Sequence, residues 1–105
     1  MIEHVVMVRP APGHDPAVLR EVLEGLAALV GQIDGLLRLR FGPNRDFEGR
    51  SPGYATGFIA SFTDAAALAR YAADPRHRAL GARLVACCEG GTAGLMVIDL
   101  DLPDA

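Results

Sequence analysis

A chain of 105 residues, half of them apolar, can fill one hydrophobic core and not two. Its ten basic and thirteen acidic side chains leave a formal charge of -3, which gives no broad positive field to draw in nucleic acid or anionic lipid. Every one of those basic residues is arginine, which excludes Schiff-base chemistry on lysine and a phosphate loop built around it.

The opening MIEHVVMVRP has no cationic stretch ahead of a long apolar run, and no later run approaches the roughly twenty apolar residues of a membrane helix, so a cytoplasmic protein without a membrane partner is expected. Within the opening, residues 2–9 carry Val6 and Val8 behind His4 on one alternating face and Val5 and Met7 on the other, the pattern of a strand buried on both sides. Asp15 before Pro16 is a helix start, a capping acceptor followed by a fixed φ. From Val18 to Ile33 apolar residues recur at three- and four-residue intervals, which predicts one long helix closed by Gly35.

In LLRLRFG, Leu37, Leu39 and Phe41 alternate with Arg38 and Arg40, predicting a second strand with the first three toward the core. Residues 43–53, PNRDFEGRSPG, are dense in turn formers and charge and read as a flexible surface loop, a candidate lid. Residues 54–62 form a third strand with Tyr54, Thr56, Phe58, Ala60 and Phe62 on its bulky face. Thr63 or Asp64 caps an alanine-rich second helix. Asp74-Pro75 breaks it and starts another, with His77 in its first turn. Residues 89–94 read as a loop and LMVIDLDL as the last strand. The adjacent Cys87 and Cys88 can join only through a strained ring, and a reduced, buried pair is expected.

The order β-α-β-β-α-β in a single domain, residues 1–105, defines an α+β, ferredoxin-like plan: a four-stranded antiparallel sheet with its helical segments on one face. Val5, Met7, Ile59, Met96, Ile98 and Leu100 then fall on the other face with nothing of this chain left to cover them. An apolar area of that extent is unusual on a monomer, and a second copy placed sheet against sheet would cover it, predicting a homodimer.

The segments HVVMVR, Gly42 and Asn44, GYATGFIASF, YAADPRHRALG and VIDLDL together resemble the stress-responsive dimeric α+β barrel family across almost the whole chain. The resemblance implies a ferredoxin-like protomer pairing through its sheets. Many members have no assigned activity; a plant member closes a linear polyketide by an intramolecular aldol reaction without a cofactor, and its spacing of histidine, tyrosine and helix-initial histidine is matched here by His4, Tyr71 and His77. By that resemblance Tyr71 and His77 are the catalytic candidates. A pocket between sheet and helices would have His4 at its polar end, with Val6, Thr56, Phe58, Leu80 and Asp99 as further ligand-binding residues. Asp99 is expected to orient the His77 ring. The chain departs from the family pattern where Thr56 stands in place of a histidine, and from the plant enzyme where Val22 and Leu26 replace first-helix aromatics.

Two readings of the site stand side by side. In one, His77 tightens a helix junction, Tyr71 is a core aromatic and the pocket binds a small apolar or aromatic ligand. In the other, His77 takes a proton alpha to a carbonyl while Tyr71 holds the developing oxyanion. His4 fits a neutral histidine buried in a strand, and His14, in a turn, should be exposed. No cofactor is expected: no histidine, cysteine or carboxylate spacing matches a metal motif. Haem held through a histidine, known in distant barrels of this kind, is a third reading.

Overall fold

The computed structural model describes residues 1–104. Four strands, β1 (Ile2–Val8), β2 (Leu36–Pro43), β3 (Thr56–Phe62) and β4 (Leu95–Asp101), form one antiparallel sheet in the order β2-β3-β1-β4. Three helices, α1 (Pro16–Ala27), α2 (Ala65–Ala73) and α3 (Pro75–Ala86), lie on one face. The core between the layers is built from Val6 and Val8 of β1, Leu39 of β2, and Phe58, Ala60 and Phe62 of β3 against the apolar stripe of α1.

The helix starts lie where the cap residues put them. The Asp15 carboxylate accepts from the Ala17 backbone N–H at 2.9 Å, and Asp64 does the same for Ala67 at 2.8 Å. Asp74 serves two helices: its N–H closes α2 on the Tyr71 carbonyl, and its side chain caps α3 through the Arg76 N–H at 2.9 Å. The Arg76 guanidinium holds the same carboxylate and reaches the Gln32 carbonyl at 3.3 Å, tying the helix junction to the α1–β2 connection. At Gly25 the helices α1 and α3 come close enough that a Cβ would sit 2.8 Å from Leu80 Cδ2.

Two elements differ from the sequence expectation. α1 ends at Ala27 rather than running to Gly35, and the chain continues in tight turns whose N–H groups reach back three residues, Leu29 to Leu26 and Val30 to Ala27. Gly31, at φ +84°, then takes a left-handed conformation open to glycine. Leu29 and Ile33 stay buried, so the apolar spacing was real, but turns satisfy it. In β2 a bulge between Leu36 and Arg38 shifts the alternation by one: Leu36 is 4 % exposed and Leu37 47 %, the reverse of the predicted facing. Leu39 is buried as expected, and Phe41 is half-buried.

The connection from β2 to β3 is organised around Asp46, whose carboxylate accepts from the Arg50 and Ser51 N–H groups and from the Ser51 hydroxyl at 2.9–3.0 Å. That hydroxyl is the main reason its carboxyl titrates below the usual range. Tyr54 lies before β3 rather than in it, with the Arg9 guanidinium 4.7 Å above its ring. The segment read as a loop at 89–94 contains a 3-10 turn, Gly91–Gly94. Both cysteines are free and buried, and burial pushes the Cys88 thiol up.

Among the described residues, no element covers the face away from the helices. Ile59, Met96, Ile98 and Leu100 are 42–46 % exposed on it, with Val5 and Met7 half-buried between them. Completing the burial of those four side chains is worth about 1 kcal/mol apiece, so roughly 4 kcal/mol in all, a large fraction of the ~5–15 kcal/mol that holds a small domain together.

Candidate functional site

The sheet register assembles the polar groups. β1 places His4 opposite Ala60 of β3 on one side and opposite Asp99 of β4 on the other. His4 Nδ1 and Asp99 Oδ1 are 2.5 Å apart. Asp99 therefore pairs with His4, not with His77 as the sequence suggested, because antiparallel pairing of the first and last strands sets them face to face while His77 sits on the helix layer.

Tyr71, in the last turn of α2, is 1 % exposed. Its ring makes an edge contact with Phe62 at 5.0 Å, lies 4.0 Å from the His77 imidazole at a tilt of 40°, and stands 6.1 Å from His4 nearly at right angles. His4 in turn lies 6.2 Å from both Phe58 and Phe62. Two imidazoles and a phenol thus meet at the end of an aromatic core. The Tyr71 hydroxyl and His77 Nδ1 are buried there without a hydrogen-bond partner, an expensive arrangement for a protein interior.

Burial sets the protonation states. Removal from water raises the Tyr71 phenol well above its ordinary range, so it stays a neutral donor. Burial likewise lowers the His77 pKa, with the nearby Ala72 backbone pulling against it, the neighbouring His4 adding to it and the Asp74 carboxylate opposing it. A neutral donor therefore stands beside a neutral imidazole, with an aspartate-backed histidine behind them.

The other candidate residues part company. Val6 and Phe58 are buried in the core, with Val6 two places along β1 from His4. Leu80 packs at the α1–α3 contact beside Gly25. Thr56 donates its hydroxyl to the Gly42 carbonyl at 2.8 Å and lines a cleft of about 460 Å³ with Leu19 and Leu23 of α1 and Phe41 and Pro43 of β2. The cleft opens at the Thr56 end of β3, whereas His4 lies level with Ala60. Phe58 occupies the row between, so the single pocket expected from the sequence is here a cleft and a ring cluster with a phenylalanine between them. Phe62, which touches both Tyr71 and His4, was not singled out in the sequence; its place two residues after Ala60 on the same face was the available signal. The helices also leave part of their own side of β4 bare: Val97, on the same face as His4, is 52 % exposed.

Among the described residues, no group of three or more histidine, cysteine or acidic side chains lies together to hold a metal ion, and no helix is long and apolar enough to cross a membrane.

An antiparallel sheet in the order β2-β3-β1-β4 with all its helices on one face defines an α+β protein of ferredoxin-like architecture. The chain belongs to the stress responsive A/B barrel domain family, Dabb, which it matches over residues 2–102. It is 29 % identical over 76 residues to the stress-response A/B barrel domain-containing protein HS1 of Arabidopsis thaliana, covering 72 % of this chain and 70 % of that one. Among solved structures it is similar to a dimeric ferredoxin-like protein of unknown function from Jannaschia sp. CCS1, with 40 % identity, a TM-score of 0.92, and coverage of 96 % of this chain and 98 % of that one. The fold is also that of a hydroxynitrile lyase from Passiflora edulis, at 12 % identity and a TM-score of 0.82, covering 99 % and 94 %.

Proposed function

We propose that the protein is a homodimer that binds a small, partly aromatic or ketide-like molecule. The ligand's polar head would meet Tyr71 and His77, and its apolar body would extend past Phe58 toward the cleft at Thr56. The observation that carries this reading is the pair of unpartnered polar atoms, Tyr71 Oη and His77 Nδ1, buried on rings whose centres are 4.0 Å apart at the end of an apolar core. A core with no use for them would be more stable with a phenylalanine and an aliphatic side chain. A ligand carbonyl or hydroxyl supplies the missing partner. Dimerisation is supported by the uncovered apolar sheet face and by the dimeric state of the similar Jannaschia protein.

The test is a nuclear magnetic resonance titration with 4-hydroxyacetophenone, phenol and 2,4-pentanedione, following the His4 and His77 imidazole signals. Saturable shifts that weaken at least tenfold in Tyr71→Phe and in His77→Ala are expected. A folded dimer whose imidazoles ignore all three probes would defeat the reading.

A second reading makes the same cluster a cofactor-independent carbon-acid catalyst, related in chemistry to a polyketide cyclase. The neutral states of Tyr71 and His77 favour it: His77 would accept the proton from the carbon next to a carbonyl, and the Tyr71 hydroxyl would donate to the enolate oxygen. The protein would then speed deuterium exchange at the central carbon of 2,4-pentanedione above the buffer rate. Equal rates for the native chain and His77→Ala would remove this reading while leaving the binding one intact.

A further inference from the structure

The His4 ring is held by its outer nitrogen. Nδ1 lies 2.5 Å from Asp99 Oδ1, across the β1–β4 pairing that sets the two residues opposite each other. A carboxylate has no hydrogen to give, so the hydrogen of that contact sits on Nδ1. A neutral imidazole carries its hydrogen on one nitrogen and a lone pair on the other, and with Nδ1 so occupied Nε2 is left as the acceptor. The Asp99 side chain is 44 % exposed, whereas that of His4 is 14 % exposed and stands among the rings of Phe58, Phe62 and Tyr71. Nε2 lies on the side of the imidazole away from Asp99. A carboxylate at the sheet edge thus decides what the imidazole offers inside.

The cluster then holds two complementary polar atoms that do not satisfy each other. The Tyr71 hydroxyl, kept neutral by burial, is a donor without a partner, and the His4 ring 6.1 Å away presents an acceptor. A ligand with a carbonyl alone satisfies Tyr71 and leaves the acceptor bare. One that also carries a hydroxyl satisfies both. A polar group left unpaired in a site of this kind penalises the ligand that lacks its match.

We propose that Asp99 is a positioning residue that holds His4 as the Nδ1–H tautomer, and that His4 Nε2 selects ligands bearing a hydroxyl, a phenol or an enol, in addition to the carbonyl that Tyr71 receives. The inference rests on the binding reading above and adds to it the chemical class of the ligand and the residue that sets it. The sheet register makes the arrangement rigid, because β1 and β4 fix both partners before any ligand arrives.

Two measurements on the full chain test it. The first is a long-range proton–nitrogen correlation spectrum of the nitrogen-15-labelled protein at pH 8. His4 should carry its hydrogen on Nδ1 in the native chain and shift toward Nε2, the form usual for histidine in water, in Asp99→Ala. Hydrogen on Nε2 in the native chain, alone or together with Nδ1, would overturn the proposal, and this arm needs no variant should Asp99→Ala fail to fold by circular dichroism. The second compares 4-hydroxyacetophenone with acetophenone by isothermal titration calorimetry. The native chain should bind the hydroxylated probe at least tenfold more tightly, and Asp99→Ala should bring that ratio below threefold. An aspartate that merely supports the fold would weaken both probes together and keep the ratio. Equal affinities in the native chain, or a ratio preserved in the variant, overturn the selection by Nε2 and leave the binding reading standing. A native chain that binds neither probe overturns the binding reading and this proposal with it.

Discussion

Replacing Tyr71 by phenylalanine tests the site by its cost. The ring is fully buried, in contact with Phe62 and His77, and all of that packing survives the change; only a hydroxyl without a partner is removed. Leaving such a group unsatisfied costs about 1–3 kcal/mol, so Tyr71→Phe should stabilise the protein by about that amount. For a domain of this size each kcal/mol moves the midpoint of thermal unfolding by roughly 4–8 °C. Differential scanning calorimetry should therefore show a rise of at least ~4 °C, while 4-hydroxyacetophenone loses its grip on the variant. A gain in stability joined to a loss of binding is what a residue kept for its site produces. A fall in the midpoint would refute the reasoning, since it would mean that the hydroxyl is bonded in the folded protein and serves the core.

His77 titrates below its ordinary value because of burial, so the unfolded chain binds its proton first on acidification; stability from this residue is complete above pH 6.5 and lost as pH falls below it. Urea midpoints measured from pH 8 to 5 should show that decline, and His77→Gln should flatten it. Asp74 is pulled down to about 2, chiefly by the Arg76 side chain, so its contribution is present above pH 3.8 and lost as pH falls from there toward 2. Asp74→Ala should lower the thermal midpoint at pH 7 and leave less to lose below pH 4, measured by the same melts. The β2 bulge predicts opposite costs for neighbouring leucines: Leu36→Ala should cost about 2–5 kcal/mol in urea unfolding, whereas Leu37→Ala should have little effect on the protomer.

Most of the fold was legible because its signals are local. Asp15-Pro16, Asp64 and Asp74-Pro75 each combine an acceptor with a chain that can turn into a helix, and each begins one in the structure. The alternation in 54–62 placed Phe58, Ala60 and Phe62 on one face without help from the rest of the chain. What escaped was set by contacts distant in sequence. The apolar spacing past Ala27 fits a helix and a series of tight turns equally, and Gly31 decides between them. The Leu36 bulge arises in pairing with β3, which no property of LLRLRFG announces. The site follows the same division. His4, Tyr71 and His77 could be named only through the spacing they share with the family the chain resembles, and the partner of Asp99 depends on the β1–β4 register. A hydrogen-bonded row of Glu3, Ser61 and Arg38 joins three strands and was invisible for the same reason.

The central claim is that the buried pair of Tyr71 and His77 waits for a ligand's polar group. It is tested most directly by crystals of the protein soaked with 4-hydroxyacetophenone. The account predicts the probe's carbonyl or hydroxyl oxygen within hydrogen-bond distance of Tyr71 Oη, with the Phe58 ring displaced toward the cleft. A probe bound only in the Thr56 cleft, with Tyr71 and His77 bonded to each other behind an unmoved Phe58, would contradict it.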